Sequence, residues 1–599
     1  MNNPKDIPFA AAYAFTVLYL LRYFFQMPRT ASKTMLGLVL GIAAAINIRV
    51  GGILLIAYLG LLALLRYLIP FRGSKAFTNF GQFFRFGIKV LVVALFGYLG
   101  GLQFWPYGLE APLANPLAAL QEMSNFSTSI RMLFEGDHLW SDELPWYYIP
   151  KWFTIGAPLF LLTGLAVLLG ALALQWRKLP TFPLLILLFV AIFPVAYAVL
   201  KGASLYDGMR HFLFVFPVLA VLAAYGWHHL LGQAQAPALA WGTRGTLAVL
   251  LLLPAVWMVR NHPHQYVYFN ELAGGAKKAY AHYEMDYWMN SVKPMADWLL
   301  ENGEKRADGT LRVATNCSRP LEHYLRAALG KNAKVYYARY HHRHQHPADY
   351  YVFIPRFIDY QFLEKEVWPP PNVVYQESVD GIPVGTISKR STLADYEAHE
   401  AMKAGDYGRA LQLFEGVVAA DDKNDGALLE MADAAMRSNN TAKAQQVTDQ
   451  LVTLSDTYVN GLFSKATFLY NTRKYTEAQQ VFERMTELNY KFNSSYYYLA
   501  TIYASNQQLE QAIDMMERYD KENGNQARAY ELAVNVCKNA GLKNKELFFQ
   551  SKLAYVNKDG QKALELLRQS LALDADYEPA KRLDEAFQRI IEKQKKSKK

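Results

Sequence analysis

Hydrophobic residues are distributed unevenly along the chain, and their distribution divides it into two parts. Up to about residue 259 long apolar runs alternate with short polar segments, whereas the mixed polarity after Arg260 is typical of water-soluble protein. A bilayer crossing needs about 20 apolar residues. The pattern therefore predicts eight spans, at 7–25, 34–48, 50–69, 88–105, 154–175, 180–200, 212–231 and 245–259. The second and third share one apolar stretch, which we expect to hinge at the sequence NIRVGG.

Charged residues between the predicted spans indicate how the chain is oriented. Cations concentrate in alternate loops, at Arg29, Lys33, Arg72, Lys75, Arg85, Arg177, Lys178 and Arg244. Because Lys and Arg are enriched in cytoplasmic loops, we predict that these loops are cytoplasmic. The large loop at 106–151 is acidic instead. We expect this loop, Asp6 and everything after about 260 to lie outside the cytoplasm, in the periplasm if the membrane is a bacterial inner membrane.

A repeat of 34 residues occupies the last third of the chain. One set of alanines recurs at Ala410, Ala444, Ala478 and Ala512, and a second set stands twelve residues earlier, at Ala398, Ala432, Ala466 and Ala500. Small residues at two such positions let paired helices approach closely, as in a tetratricopeptide array. We predict tetratricopeptide repeats over 391–590 that expose a docking surface for a protein partner, with a plain helical spacer as the alternative. A basic, frayed tail is predicted at 591–599.

The segment between the spans and the repeats alternates between strand and helix patterns. LRVATNC, AKVYYARY and DYYVFIPRF are typical of strands, PLEHYLRAAL of a helix, and NVVYQESVDGIPVGTISK of a hairpin. The sequence thus predicts a small α/β domain at 296–390, after an outer-face segment at 261–295. The predicted fold class is mainly α: a polytopic α-helical membrane domain at 1–260 with about eight spans, the small α/β domain and an α-solenoid of repeats.

Composition narrows the classes of function. The net charge is +10, but many of the cations lie in short loops between apolar runs, so we expect a membrane partner and no nucleic acid. The two cysteines, Cys317 and Cys537, lie far apart and have no metal-ligand spacing. The loop YHHRHQHPAD offers histidines to a metal but has no fixed ligand spacing, so we expect no metal site there; they are His341, His342, His344 and His346.

Ionisable residues at the edges of the spans are candidates for a functional site, because such groups are costly at a membrane boundary unless they are paired or hydrated. Asp6 has a simpler interpretation as a charge at a helix N-terminus, and Arg210 has one as an interfacial anchor. Together they indicate a site for a phosphate-linked polar substrate, in which cations bind phosphate, aromatic rings stack on a sugar and a carboxylate accepts a proton. The candidates are Asp6, Arg49, Tyr147, Lys151, Lys201, Tyr206, Asp207, Arg210, Glu284 and Asp286.

The segments NPKDIPF, LPWYYIPKWF, YDGMRHFLFVFP and HPHQYVYFNELAGG with YEMDYW resemble bacterial GT-C glycosyltransferases, the superfamily of protein O-mannosyltransferases and lipid A aminoarabinose transferases. The resemblance covers about residues 1–390. It implies transfer of a sugar from a polyprenyl-phosphate carrier to a protein, lipid or glycan acceptor outside the cytoplasm. It also implies that Asp6 is the catalytic acidic residue and that Arg210 and His211 lie near the carrier phosphate.

With these we assign Arg49 and Lys201 to the donor phosphate, and the remaining candidates to substrate binding: Tyr147, Lys151, Tyr206, Asp207, Glu284 and Asp286. No nucleotide cofactor is expected, and a requirement for a divalent cation stays open.

The sequence departs from that superfamily at its start. Members begin with further spans and an earlier outer loop that carries the principal catalytic carboxylate, and this sequence begins where their second loop would be. We expect an N-terminally incomplete copy, one of two polypeptides that complete each other, or a product without catalysis. Two other functions stay open: a non-catalytic membrane scaffold whose repeats recruit envelope or polysaccharide assembly partners, and an O-antigen ligase or polymerase, which transfers a whole glycan.

Overall fold

The chain consists of three consecutive parts: apolar helices, a five-stranded sheet with its helices, and a stack of paired helices. A computed structural model describes residues 5–27, 29–68, 77, 79–124 and 129–597. The predicted loop cations Arg72 and Lys75 lie outside these residues.

The first part is built mainly from apolar helices. In chain order they are α1 Asp6–Gln26, α2 Ser32–Ile48, α3 Leu54–Leu68, α4 Phe80–Leu102, α5 Pro106–Glu110, α6 Ala114–Ser124, α7 Tyr148–Gly156, α8 Leu159–Gln175, α9 Thr181–Leu200, α10 Phe216–Gln233 and α11 Pro237–Arg260. A hairpin of β1 Arg131–Phe134 and β2 Asp137–Trp140 lies between α6 and α7. Within the described residues, 7 helices are long and apolar enough to cross a bilayer when their flanking 3-10 turns are included, which is compatible with an integral membrane protein.

The predicted second span corresponds to α2, which is shorter than those seven helices. Its 17 residues give a length of about 25 Å, at the lower limit for a crossing. The chain leaves α2 at Arg49, whose backbone is extended, and continues through a 3-10 turn at Val50–Ile53 into α3. The apolar stretch is therefore divided where the sequence NIRVGG predicts a hinge.

Two cations that were predicted in loops lie inside helices instead. Arg85 belongs to α4 and Arg244 to α11, because both helices begin before the apolar runs that were predicted to start at 88 and 245. Asn79 caps α4 by accepting a hydrogen bond from a backbone N–H three residues later. Pro237 opens α11 at a position where a backbone N–H has no helical partner. A long cationic side chain can extend along a helix towards polar surroundings, so these charges do not end the helices.

The predicted loop at 106–151 and the span after it are also divided differently. The loop contains α5, α6, the β1–β2 hairpin and the start of α7. The predicted span at 154–175 is broken at Pro158, which precedes α8 and has an extended backbone. Proline lacks the N–H that a continuous helix would need there, so the apolar helix begins at Leu159.

The second part contains a mixed sheet. Its strands are β3 Leu311–Thr315, β4 Ala333–Tyr337, β5 Tyr350–Phe353, β6 Val373–Val379 and β7 Ile382–Lys389, and its helices are α12 Gly275–Ala279, α13 Val292–Asn302, α14 Ser318–Leu329 and α15 Tyr360–Glu364. The strand order is β4-β3-β5-β7-β6, with β4, β3 and β5 parallel and β7 antiparallel to both of its neighbours. The carboxyl ends of the three parallel strands therefore share one edge, where ligands commonly bind in such sheets.

The third part is a stack of helical pairs. The helices are α16 Ala394–Ala404, α17 Tyr407–Ala420, α18 Asp425–Arg437, α19 Thr441–Leu454, α20 Val459–Asn471, α21 Tyr475–Glu487, α22 Asn493–Ser505, α23 Leu509–Lys521, α24 Ala527–Asn539, α25 Lys543–Val556, α26 Gly560–Leu573 and α27 Glu578–Ser597. Several of them begin at side-chain caps on Asp406, Asn424, Asn440 and Asp559. The frayed tail predicted from 591 is helical up to Ser597, because Glu, Lys and Gln are good helix formers; residues 598–599 lie outside the described part.

Burial explains the 34-residue spacing of the two alanine sets. Every one of these eight alanines has an exposed fraction of 0%. Four positions after three members of the later set, large side chains fill the space between helices with the same exposed fraction, at Phe414, Phe482 and Met516. Thr448, which breaks that pattern of large residues, is also fully buried. The repeat in the sequence is therefore a repeat of close helix contacts.

Replacing Ala444 by Leu should destabilise the repeats, because overpacking a close helix contact costs about 1–3 kcal/mol of unfolding free energy. Ala442→Leu is the matched control, since Ala442 lies in the same helix α19 but is exposed, and a surface change of this kind stays within about 0.5 kcal/mol. The measurement is a urea titration of each variant as the full chain in detergent, in which limited proteolysis of the repeats reports the unfolded fraction. Equal effects of the two substitutions would contradict the assigned helix contacts.

Candidate functional site

Asp6, the first residue of α1, is buried between two arginines. Its exposed fraction is 2%. Arg49 at the hinge after α2 forms an ion pair with its Oδ1, and the Nε of Arg210 lies 3.5 Å from its Oδ2. A buried carboxylate without partners costs several kcal/mol. The two cations and the positive end of the α1 dipole therefore account for the burial of this charge.

Further ion pairs extend this contact into the second part of the molecule. The Nη1 of Arg210 lies 2.7 Å from Oδ2 of Asp207, and the other oxygen of Asp207 lies 2.6 Å from Nη2 of Arg356. The Nε of Arg356 lies 3.7 Å from Oε1 of Glu284. We call this series of alternating charges the charge chain; in order it is Arg49, Asp6, Arg210, Asp207, Arg356 and Glu284. It joins α1, the 3-10 turn before α10 and the carboxyl end of β5.

A turn with left-handed backbone places Asp207 between its two arginines. Asp207 and Gly208 have φ values of +59° and +61°, a conformation that aspartate tolerates and glycine adopts easily. A Cβ at Gly208 would lie 3.2 Å from the ring of Trp152, so the turn also fits a narrow space. The N–H of Gly208 donates to the hydroxyl of Tyr148 at 3.2 Å. Tyr148 thus holds the turn, whereas its neighbour Tyr147 was the predicted substrate-binding residue.

Aromatic rings surround Arg210. Its guanidinium lies 4.4 Å from the ring centroid of Trp288 and 5.6 Å from that of Tyr206. His211 packs edge-on against Tyr206, with 4.7 Å between the ring centroids. The structure therefore brings together Tyr206, Arg210 and His211, which were assigned to the same site from the sequence.

Glu284 forms the other end of the charge chain. Burial raises the pKa of its carboxyl group to about 7, Arg356 opposes this rise and the negative charge of Asp207 adds to it. Both the ionised and the neutral carboxyl are therefore populated near neutral pH. A carboxyl group with a pKa near the working pH is suited to accept a proton from a hydroxyl group and release it again.

Lys151 and Tyr147 belong to a separate contact with Glu135. The Nζ of Lys151 lies 2.8 Å from Oε1 of Glu135, and the hydroxyl of Tyr147 donates to Oε2 at 3.2 Å. Lys201 is exposed at the end of α9. Lys151 and Tyr147 thus meet at Glu135, which is not a member of the charge chain. Their roles in substrate binding and that of Lys201 in phosphate binding stay predictions.

Asp286 lies close to Glu284 in sequence but makes different contacts. Its carboxylate is buried and accepts hydrogen bonds from the hydroxyl groups of Tyr266 and Ser291 and from the backbone N–H groups of Asn290 and Ser291, at 2.8 and 3.0 Å respectively. Burial raises its pKa, and these donors oppose the rise. The geometry shows that Asp286 fixes the turn before α13, and its role in substrate binding stays a prediction.

Arg356 is the member of the charge chain that the sequence analysis missed. It follows β5 and its side chain is 10% exposed. It also donates to the carbonyl oxygen of Tyr287 at 3.1 Å. The available signal was its position, since a polar residue just after a parallel strand lies at the edge where ligands bind. That signal requires β3, β4 and β5 to be recognised as parallel, which the strand pattern alone does not reveal.

A cavity of about 490 Å³ lies beside Glu284 and Arg356. Its wall is formed by the β1–β2 hairpin, the residues that follow β3, β4 and β5, and two loops of the repeats. Arg131 of the hairpin stacks on Tyr490 of the repeats, with 3.6 Å from the guanidinium carbon to the ring centroid. Tyr340 and Tyr458 add further rings to the wall. Aromatic faces combined with charged hydrogen-bonding groups are the lining expected of a site for a polar ligand with apolar faces.

Comparison with known families identifies the C-terminal part. The tetratricopeptide repeat family matches residues 401–454 and, through a second profile, residues 463–527. The prediction of tetratricopeptide repeats is confirmed for these residues, and such repeats are protein interaction modules. A comparison with curated protein sequences gives no match.

Solved structures that resemble the chain do so over about a third of its length. A crystal structure of MamA shows a TM-score of 0.24 and 20% identity, over 31% of this chain and 99% of that one. MamA 41-end from Desulfovibrio magneticus RS-1 gives 0.22 and 17%, over 31% and 95%. YrrB, described as a tetratricopeptide protein with an unusual peptide-binding site, gives 0.21 and 15%, over 29% and 97%.

Arg356→Met should destabilise the contact between the sheet and the apolar helices, because it leaves buried carboxylates with fewer cations. Removing one partner of a buried ion pair costs about 3–5 kcal/mol. The control is Arg437→Met, whose pair with Asp433 is exposed and contributes at most about 1 kcal/mol. Denaturant titration of the full chain in detergent, monitored by tryptophan fluorescence, compares the two. Adding Asp207→Asn to Arg356→Met should recover part of the loss, and a loss no larger than that of the control would contradict the charge chain.

Proposed function

We propose that this chain is a membrane glycosyltransferase component that transfers a sugar from a polyprenyl-phosphate carrier to a protein, lipid or glycan acceptor on the extracytoplasmic side. The observation that supports it best is the charge chain, which places arginines at the ends of apolar helices and a titratable carboxyl beside a cavity. The resemblance of four sequence segments to GT-C glycosyltransferases gives the same reaction class.

Arg49 and Arg210 suit the carrier phosphate. Both lie at ends of apolar helices, and planar guanidinium groups bind phosphate oxygens in pairs. Asp6 contacts both of them, so it holds the two side chains in fixed positions before a substrate arrives. In this proposal Asp6 is a positioning residue, which differs from the catalytic role expected from the sequence.

Glu284 suits the acceptor, because it lines the cavity. The acceptor hydroxyl oxygen bonds to the anomeric carbon of the sugar, and the bond between that carbon and the carrier phosphate oxygen breaks. Glu284 takes the hydroxyl proton, and the phosphate leaves with the electron pair. The arginines stabilise the charge that develops on the phosphate, an electrostatic effect that commonly supplies a large share of catalysis.

Arg210→Ala should reduce sugar transfer at least about 100-fold, the size of effect seen when one group that stabilises developing charge is removed. Asp6→Asn should also reduce it, because Arg49 and Arg210 lose the carboxylate that positions them. The assay uses membranes of cells that express each variant together with the other proteins of its native membrane. Radiolabelled polyprenyl-phosphate sugar is added to these membranes. Because these substitutions also remove partners from buried ion pairs, the rates are compared per amount of each variant in the membrane. Arg244→Ala and Asp297→Asn are controls, because both residues lie outside the charge chain and are not buried. Full activity of both test variants would contradict the assigned site.

The rate of transfer should fall about tenfold for each pH unit below 7, because only the ionised form of Glu284 accepts a proton and its pKa lies at about 7. Glu284→Gln should lower the rate and remove this acidic limb. Glu271→Gln is the control, since Glu271 is an exposed glutamate nearby. The measurement is the pH profile of transfer between about 5 and 9 at saturating donor. An acidic limb that persists in Glu284→Gln would exclude this residue as the base.

A membrane scaffold is the second candidate, favoured by the tetratricopeptide repeats. It predicts that partner proteins still bind when Asp6 and Arg210 are replaced and are lost when the repeats from about 392 are deleted. Product analysis after addition of the labelled carrier separates both candidates from a ligase, which would transfer a whole glycan instead of one sugar.

A further inference from the structure

Three side chains with metal-binding atoms meet where the sheet joins the first repeats. His344 lies in the 3-10 turn Tyr340–Gln345 after β4, His399 in α16 and Glu430 in α18. Their ligand atoms all lie within 4.8 Å of one another. The Nε2 of His344 is 2.9 Å from Oε1 of Glu430, and the Nδ1 of His399 is 2.8 Å from each of its carboxylate oxygens. We call these three residues the junction triad.

The histidine loop itself does not supply a cluster of ligands. His341 packs edge-on against His342 and contacts Asn460, and His346 stacks on Tyr336 with a ring separation of 5.2 Å. Only His344 of the four loop histidines belongs to the triad, and its two partners come from the repeats. This explains why the spacing within the loop gave no indication of a site.

The backbone around the triad is held by close packing and by an arginine contact, in addition to the hydrogen bonds within the triad. A Cβ at Gly426 would lie 2.5 Å from the carbonyl oxygen of His341 and 2.7 Å from Nδ1 of His344, so glycine allows the loop to lie directly on α18. Arg343 donates to Asp425 at 2.7 Å and to Asn424 at 2.8 Å. The junction is thus held together by more than the triad, whose ligand atoms are preorganised by their surroundings.

The chemistry of the triad fits a zinc ion. Two imidazole nitrogens and one carboxylate oxygen form a common zinc ligand set, which leaves a fourth position for water. His344 is buried, whereas the side chains of His399 and Glu430 are 13% and 16% exposed, so an ion can enter from the solvent side. Ligands of a tetrahedral zinc are separated by about 3.4 Å at bond lengths of about 2.1 Å. The two separations between imidazole nitrogen and carboxylate oxygen therefore widen by about half an ångström when the ion binds, and the two imidazole nitrogens, which lie within 4.8 Å of each other, adjust to the same separation. The two partly exposed side chains permit this movement.

We propose that His344, His399 and Glu430 bind one Zn²⁺ ion that cross-links the sheet domain to the first repeats. This proposal departs from the absence of a metal site expected from the sequence. It concerns the junction alone and does not depend on the proposed transfer reaction. An ion that contacts a loop, α16 and α18 at once would stabilise the folded junction, because it binds the assembled ligands more tightly than the separated ones.

Calorimetric titration of the chelator-treated full chain in detergent with ZnCl₂ should show one ion bound per chain. A thermal scan should show a rise in the unfolding temperature that EDTA reverses. His399→Gln and Glu430→Gln should each weaken binding more than about tenfold, since removal of even an indirect partner of a zinc ligand costs about 10–100-fold. His346→Gln is the matched control, because it removes a histidine of the same loop that lies outside the triad.

Cobalt(II) gives a second measurement that needs no variant. Bound at the triad it should show the intense visible absorption of a four-coordinate ion, and Zn²⁺ should displace it. The proposal is overturned if Zn²⁺ does not bind or if His399→Gln and Glu430→Gln bind it as tightly as the control. It is also overturned if Co²⁺ in the presence of the protein keeps the weak spectrum of the hydrated ion. In these cases the triad is a set of hydrogen bonds only.

Discussion

Burial of Asp6 at the start of an apolar helix is the constraint on which the rest of the site depends. A carboxylate in that position is stable only if cations reach it, and the cations come from distant parts of the chain, Arg49 and Arg210. Arg210 in turn needs Asp207, and Asp207 takes a second arginine from the sheet domain. Each charge is thus compensated by the next, so the apolar helices and the sheet domain cannot separate without exposing buried ions.

The repeats also form part of the wall of the cavity beside Glu284 and Arg356. Residues between α6 and α7 contact the repeats directly: the indole of Trp140 donates to the carbonyl of Asn489 at 2.6 Å, and Lys491 lies 2.9 Å from Glu143. The hairpin turn of the sheet domain contacts the end of α11, where Asp380 accepts from Trp257 at 2.6 Å and from Asn261 at 3.0 Å. Three parts with different compositions are therefore joined by direct polar contacts.

Local and periodic features of the fold could be predicted from the sequence. The alanines at 34-residue spacing are all buried, and the strands, helix and hairpin predicted between 311 and 389 each have a counterpart. Helix ends were predicted less well, because caps such as Asn79 and cations such as Arg85 extend helices beyond their apolar runs. The pattern of apolar residues shows which part of a helix is apolar, but it does not show at which residue the helical hydrogen bonds begin.

Five of the six members of the charge chain were named as candidates from the sequence: Asp6, Arg49, Asp207, Arg210 and Glu284. Arg356 was missed because its role depends on a parallel sheet, which is formed by contacts between distant segments. For the same reason the contacts of Lys151 with Glu135 and of Asp286 with Tyr266 could not be predicted from the sequence. Charge and position relative to an apolar run indicate that a residue needs a partner, but they do not identify the partner.

The attachment of the repeats at several places has a consequence for anything that they hold. Arg343 pairs with Asp425, Ser455 donates to Asp359, and Trp140 donates to Asn489. An array held at several separate points cannot pivot about any one of them, so the helices from α22 onward keep a constant direction relative to the apolar helices. A ligand bound further along the array is therefore kept at a fixed distance from the ends of the apolar helices, and the number of repeats determines that distance.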